Sequence, residues 1–224
     1  MAQFRKKSIE TKEIEDQNQM SFSFVEELNY ELGDNMLADE YQELASRTLN
    51  LEGDFENCVF GIIGESGEIV DKLKKIVYHK HPFDEKEKQK LSEEFGDMMW
   101  YLAAFATCYN FKLSEIYDLP CKGFTYLFRS AKLTKEQQLK YLCYQLNISV
   151  SLVSRQYGDV MVMDSCEFDA KDLMSNLGLV MKVVQTLAKH FEFDMDEIME
   201  ENIIKLKMRY KGNGFSVEES LNRV

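Results

Sequence analysis

Proline is almost missing from this chain, with Pro82 and Pro120 the only two among 224 residues, and glycine is held to eleven. So few breakers argue against a many-turned β fold and for long helices. Histidine is also scarce, at three, and the five cysteines (Cys58, Cys108, Cys121, Cys143 and Cys166) are odd in number, widely spaced and free of any CxxC pair. That pattern speaks against a zinc site or a disulfide framework and suits a reducing cytoplasm. Positive charge is in deficit: 27 Lys and Arg stand against 39 Asp and Glu, a net charge of −12. Such a field draws neither nucleic acid nor an anionic membrane, so neither is expected as a partner. A polyphosphate remains accessible if metal ions and a few local cations mediate the contact. No apolar run approaches the ~20 residues that span a bilayer. The opening "MAQFRKKSIE" has no apolar stretch behind its charges and does not read as a secretory signal.

What remains is 45% apolar and 29% charged, a composition able to bury one substantial core or two small ones. Residues 1–35 are polar and weakly patterned. They read as an arm, with Phe22, Phe24, Val25 and Leu28 able to dock on the body. From Asp39 onward a helical period takes over. Tyr41, Leu44, Ala45 and Leu49 share one face; Val59, Ile62, Ile63, Ile69, Val70, Leu73 and Ile76 share the next. Pro82 interrupts, and Leu91, Phe95, Met98, Met99, Leu102, Phe105 and Ala106 form a third helix.

The second half echoes the first. With Leu91 set over Leu173, the segments 91–117 and 173–199 align without a gap. Leu91, Gly96, Met99, Ala106, Phe111, Glu115 and Ile116 find identical partners. Seven such matches compare with about two expected at typical residue frequencies. The chain therefore reads as an all-α helical bundle of two tandem repeats, 36–119 and 120–224, packed as one pseudo-dimeric unit because each alone offers too little core.

The repeats differ at two short motifs. "GESGE" (64–68) and "EEFGD" (93–97) each place two acids three positions apart, on one helical face, beside glycine and apolar neighbours. Under the same offset, Glu65, Glu68, Glu94 and Asp97 fall on Asn147, Val150, Asn176 and Leu179, so the second copy has lost all four carboxylates. The stretch from Glu68 to Glu94 is long enough for the helix to finish, turn and return antiparallel, which brings the pairs face to face. Four carboxylates so placed repel one another, and a divalent cation removes the penalty. All-oxygen ligation without histidine or cysteine suits Mg²⁺ or Mn²⁺.

ExxE, a spacer and then ExxD resembles the signature of the all-α nucleoside triphosphate pyrophosphohydrolases, the MazG-like proteins and their dimeric dUTPase relatives. "EYQELASRT" (40–48) is similar to that family's first helix, and "GIIGESGEIVDKLKK" (61–75) and "LSEEFGDMMWYLAAFA" (91–106) to its metal-binding helices. "ENIIKLKMRYKGNGFSVEESLNR" (201–223) is similar to its C-terminal segment. The degenerate copy is inserted before that last segment. The resemblance implies an enzyme, a nucleotide pyrophosphohydrolase that converts a (d)NTP to (d)NMP and pyrophosphate. Glu65, Glu68, Glu94 and Asp97 would be its metal-binding and catalytic residues. It also implies a site for Asn202, Lys205 and Arg209 toward the substrate. Pairing of two such chains into a homodimer is expected, in the cytoplasm. A protein of another kind, a non-catalytic nucleotide- or partner-binding protein retaining the metal site, is the alternative.

Accessory positions can be named from spacing. Lys72 and Lys75 follow Glu68 by four and seven positions and could meet phosphate oxygens or pair within their helix. Trp100 and Tyr101 follow Asp97 by three and four; one could stack on a base, while core packing would occupy either. Gln42 could read a base edge, as a matching position does in the dUTPase relatives, or lie on the surface. His79, His81 and His190 show no partner spacing.

Overall fold

A computed structural model describes residues 37–49, 54–122, 124, 132–162, 169–210, 214–216 and 218. The expectations for residues 1–35 lie outside these. The described residues contain seven main helices and no strand: α1 (Ala38–Ser46), α2 (Asp54–His79), α3 (Glu85–Cys108), α4 (Leu113–Tyr117), α5 (Lys135–Val162), α6 (Ala170–His190) and α7 (Met195–Arg209). The expected all-α bundle is what forms.

Helices α2 and α3 make one hairpin and α5 and α6 another, with α2 also against α5. The first hairpin turns where Pro82 required it. Lys80 takes a left-handed φ of 53°, the N–H of His81 returns to the Lys75 carbonyl, and the Asp84 side chain caps α3 by accepting from the Glu87 N–H at 3.0 Å. The core runs along α3 and α6, where Leu91, Phe95, Met98, Met99, Leu102, Leu173, Leu177, Val180, Met181 and Val184 are all fully enclosed. Ile63, placed on the apolar face by its spacing, is instead 40% exposed, because α2 turns its buried stripe through Ile62, Ser66, Ile69 and Leu73.

The two halves coincide closely at the ends of α3 and α6. Cys108 and His190, matched positions when 91–117 is aligned with 173–199, end these helices, and Asn110 (φ 56°) and Glu192 (φ 62°) carry the left-handed turn that follows. The Phe111 N–H bonds the Ala106 carbonyl at 2.8 Å, and the Phe193 N–H bonds the Ala188 carbonyl at 3.0 Å. These are matching C-terminal caps of the Schellman kind. The short helices that follow are exchanged: α7 packs on α3, and α4 packs on α6. Each meets a bare backbone there. A Cβ on Gly96 would lie 3.0 Å from the Asn202 Cβ, and one on Gly178 would overlap the Leu119 side chain.

The first arms of the hairpins follow a different offset. Burial along α2 and α5 agrees when Val59 is set over Leu139, which also matches Ile62 with Leu142, Ser66 with Leu146, Ile69 with Ser149 and Leu73 with Val153. The offset that aligns α3 with α6 would instead set Phe60, 63% exposed, over the enclosed Leu142. Two extra residues between the arms of the second hairpin account for the change, since the step from Val153 to Leu173 is longer by two than the step from Leu73 to Leu91.

Candidate metal centre

Glu65 and Glu68 leave α2 on one face, and Glu94 leaves the facing turn of α3. One carboxylate oxygen from each lies within 4.8 Å of the other two. Asp97 stands beside this group but is turned toward α7. Its Oδ1 accepts from the Asn202 amide Nδ2 at 3.1 Å and pairs with the Lys205 ammonium. Lys72 pairs with Glu94 at 3.1 Å, with 21% and 14% of the two side chains exposed. That shielding separates it from an ordinary surface ion pair. The offset of the first arms revises the counterparts of the first acid pair. Glu65 and Glu68 match Gln145 and Ile148 rather than Asn147 and Val150; Val150 is buried, whereas Glu68 is exposed. The second hairpin lacks the acids under either offset.

The electrostatics record the crowding. Burial pushes the Glu65 carboxyl up to about 8, aided by the negative charges of Asp97, Glu94 and Glu68 and opposed by Lys205. Burial also raises Glu94, against the hydrogen bond and charge of Lys72, with Glu68 and Asp97 adding to the rise. Three converging oxygen donors, two of them raised by burial, fit a hard divalent cation, which would supply the missing positive charge. Glu65, Glu68 and Glu94 are the residues placed to hold it, with Asp97 adjacent.

The accessory residues divide. Asn202, Lys205 and Arg209 fall on one face of α7 at spacings of three and four, with Asn202 and Lys205 meeting Asp97 directly. Lys72 reaches the acidic group through its pair with Glu94. Lys75 does not reach it: its ammonium bonds Asp71 at 2.6 Å on the exposed surface of α2, and that bond raises the lysine above its usual range. Trp100 turns away to α1, donating its indole N–H to Thr48 Oγ1 at 2.9 Å and toward the Ala45 carbonyl at 3.3 Å. Tyr101 packs its ring over α2, so close that a Cβ on Gly61 would overlap it. Both aromatics tie helices together, the packing role their spacing allowed.

Gln42 is likewise spent inside the fold. Its amide Nε2 donates to Thr107 Oγ1 at 3.2 Å and to the Phe111 carbonyl at 2.9 Å, and Oε1 accepts from the Leu113 N–H at 2.7 Å. Asp39 accepts from the Ser114 N–H at 2.8 Å. Together they satisfy the first N–H groups of α4, which a short helix leaves open. Thr107 lies about 15 Å beyond Asp97 along α3, so this geometry does not make Gln42 a reader of the base.

Sequence reasoning missed Tyr41. Its hydroxyl donates to Asn202 Oδ1 at 2.8 Å, and its ring is fully enclosed. A tyrosine at a core position is the available signal, because a buried phenol needs a polar partner.

An all-α hairpin carrying a convergent set of carboxylates thus defines the class. The model of the MazG nucleotide pyrophosphohydrolase domain matches residues 54–124, the span from α2 through α4. Across 91 residues the chain is 34% identical to the Gene 37 protein of Mycobacterium phage L5, covering 36% of this chain and 79% of that protein. No solved structure matches. The chain belongs to the MazG family.

Proposed function

We propose that this protein is a Mg²⁺- or Mn²⁺-dependent nucleoside triphosphate pyrophosphohydrolase that converts a (d)NTP to (d)NMP and pyrophosphate. The observation that carries the reading is the convergence of Glu65, Glu68 and Glu94 within 4.8 Å, inside the matched segment. When bound, a divalent cation neutralises triphosphate charge and lowers the pKa of a coordinated water. The chain's own part is binding and orientation. Glu65, Glu68 and Glu94 hold the cation, and Asp97, fixed by Asn202 and Lys205, completes the acidic wall. Lys72 and Lys205 bring ammonium groups within reach of phosphate oxygens, and Arg209, one turn beyond Lys205, adds a guanidinium. Hydrolysis joins a water oxygen to the α-phosphorus and breaks its bond to the bridging oxygen, which leaves with pyrophosphate.

The chain is read as a catalytic repeat (36–119) and a degenerate one (120–224) that arose by duplication. The second serves as a scaffold and lends α7 to the first. The shared caps at Asn110 and Glu192 support this. Two chains pair through exposed apolar side chains, for which Phe60, Tyr144 and Ile148, each at least half exposed, are available. A cytoplasmic setting accords with Cys58, Cys108, Cys121 and Cys143, which are present as thiols. Among the described residues no helix is long and apolar enough to cross a membrane.

The test is pyrophosphate release from a panel of NTPs and dNTPs. Release that requires Mg²⁺ or Mn²⁺ and stops in EDTA is expected. Activity unchanged in chelator would reject the metal reading.

A further inference from the structure

We propose that Tyr41 is a positioning residue of the carboxylate site, acting through Asn202 on Asp97. The inference rests on the metal-site reading above and extends it to a residue of α1.

An ionised Asp97 carboxylate can only accept, so Asn202 must present its NH₂ to it, as it does at 3.1 Å. The amide oxygen then points away, into a region where Asn202 is 3% exposed. A buried amide oxygen requires a donor. Tyr41 supplies it at 2.8 Å from a fully enclosed ring. Reversing the amide would set its oxygen against the carboxylate. The hydroxyl therefore selects the one amide orientation that holds Asp97. Its second acceptor within reach is the Gly96 carbonyl, 3.4 Å away and adjacent to Asp97 in sequence.

Gly96 makes the approach possible. A Cβ there would sit 3.0 Å from the Asn202 Cβ and 3.1 Å from its Nδ2. Packing alone does not call for the phenol oxygen, because phenylalanine has nearly the same volume. The hydroxyl is what links α1, through α7, to an acid of α3.

The test uses the full chain. Mn²⁺ titrations followed by electron paramagnetic resonance, pyrophosphate release at several Mn²⁺ concentrations, and thermal melting are compared for wild type, Tyr41→Phe and a control, Thr107→Val. The control removes hydrogen bonds from the far end of α3. In Tyr41→Phe the Mn²⁺ Kd is expected to rise about threefold, less than the roughly tenfold lost with a group that orients a metal ligand directly, because Tyr41 acts through Asn202 on an acid beside the three that would hold the ion. Turnover should fall at low Mn²⁺ and recover as Mn²⁺ is raised. Thr107→Val should melt lower with its Kd unchanged. If Tyr41→Phe fails to fold, Gly96→Ala, which displaces Asn202 and leaves the Tyr41 side chain intact, carries the same expectation. A variant that melts lower yet keeps the wild-type Kd would make Tyr41 a packing residue and overturn the inference alone. A wild-type protein that binds no Mn²⁺ would overturn the metal reading and this inference with it.

Discussion

Beside its buried stripe α2 carries Gly64, Glu68 and Lys72; at the positions that burial matches to them α5 carries Tyr144, Ile148 and Leu152. The inner faces of these helices bury equivalent positions, and the helices they pair with, α3 and α6, end in the same capped turn. The second hairpin thus packs without any of the four acids. A bundle of this kind does not need them for its architecture. Their presence in the first hairpin, where burial and mutual repulsion raise Glu65 and Glu94, is a cost to folding that a bound cation would offset. The exchange of α4 and α7 adds a second point. Asn202 and Lys205 of α7, which follows the second hairpin, reach Asp97 of the first.

The largest break of the comparison is at the acids themselves. Glu68→Gln should lower turnover by about two orders of magnitude or more, the several kcal/mol that a cation contributes at the transition state. The reverse change in the second hairpin, Ile148→Glu, should add no activity, because α6 carries Asn176 and Leu179 where α3 carries Glu94 and Asp97. A steady-state pyrophosphate assay reads both. Loss of α7 comes next. Truncation after Met199 removes Asn202, Lys205 and Arg209 and should raise the KM for triphosphate by about tenfold, the worth of one or two charge-assisted contacts. A KM unchanged by the truncation would remove α7 from the site.

Smaller effects probe the scaffold. Gly61→Ala forces a methyl into the Tyr101 ring and should destabilise the fold by about 1–3 kcal/mol in urea titration. Gln42→Ala strands the Leu113 N–H and should cost about 1–2 kcal/mol. Its kcat should stay at the wild-type value, which separates a cap of α4 from a reader of the base.

A pH trend probes the acids without any substitution. Glu65 is a weaker acid folded (about 8) than unfolded (4.5), so the native state holds more protons between those values. Its contribution to stability is fully present below about pH 4.5 and is lost as pH rises through about 8. Glu94 shifts in the same direction. In chelator the melting midpoint should therefore fall from pH 5 to pH 8, and Mg²⁺ should flatten the slope.

Much of this was legible in the chain. Long helices followed from the scarcity of proline, the hairpin turn from Pro82, and the acid pairs from their spacing of three on apolar helices. The echo of 91–117 in 173–199 was readable across α3 and α6 because their sequences still match. Carried over to α2 and α5 the same offset does not set buried positions over buried ones; an offset shorter by two does, and burial alone reveals it. The roles of Gln42, Trp100 and Lys75 could not be settled from spacing, since each depends on a partner distant in sequence or on the direction its side chain takes. Tyr41 was hidden by its own pattern, for a core position explains a ring and says nothing of the hydroxyl.

The most direct test is phosphorus NMR of a reactive nucleoside triphosphate from the panel, incubated with Mg²⁺ and either the wild-type chain or Glu68→Gln. The account predicts nucleoside monophosphate and pyrophosphate as the primary products of the wild type and little conversion by the variant. Orthophosphate and nucleoside diphosphate as primary products, or equal conversion by both proteins, would contradict it.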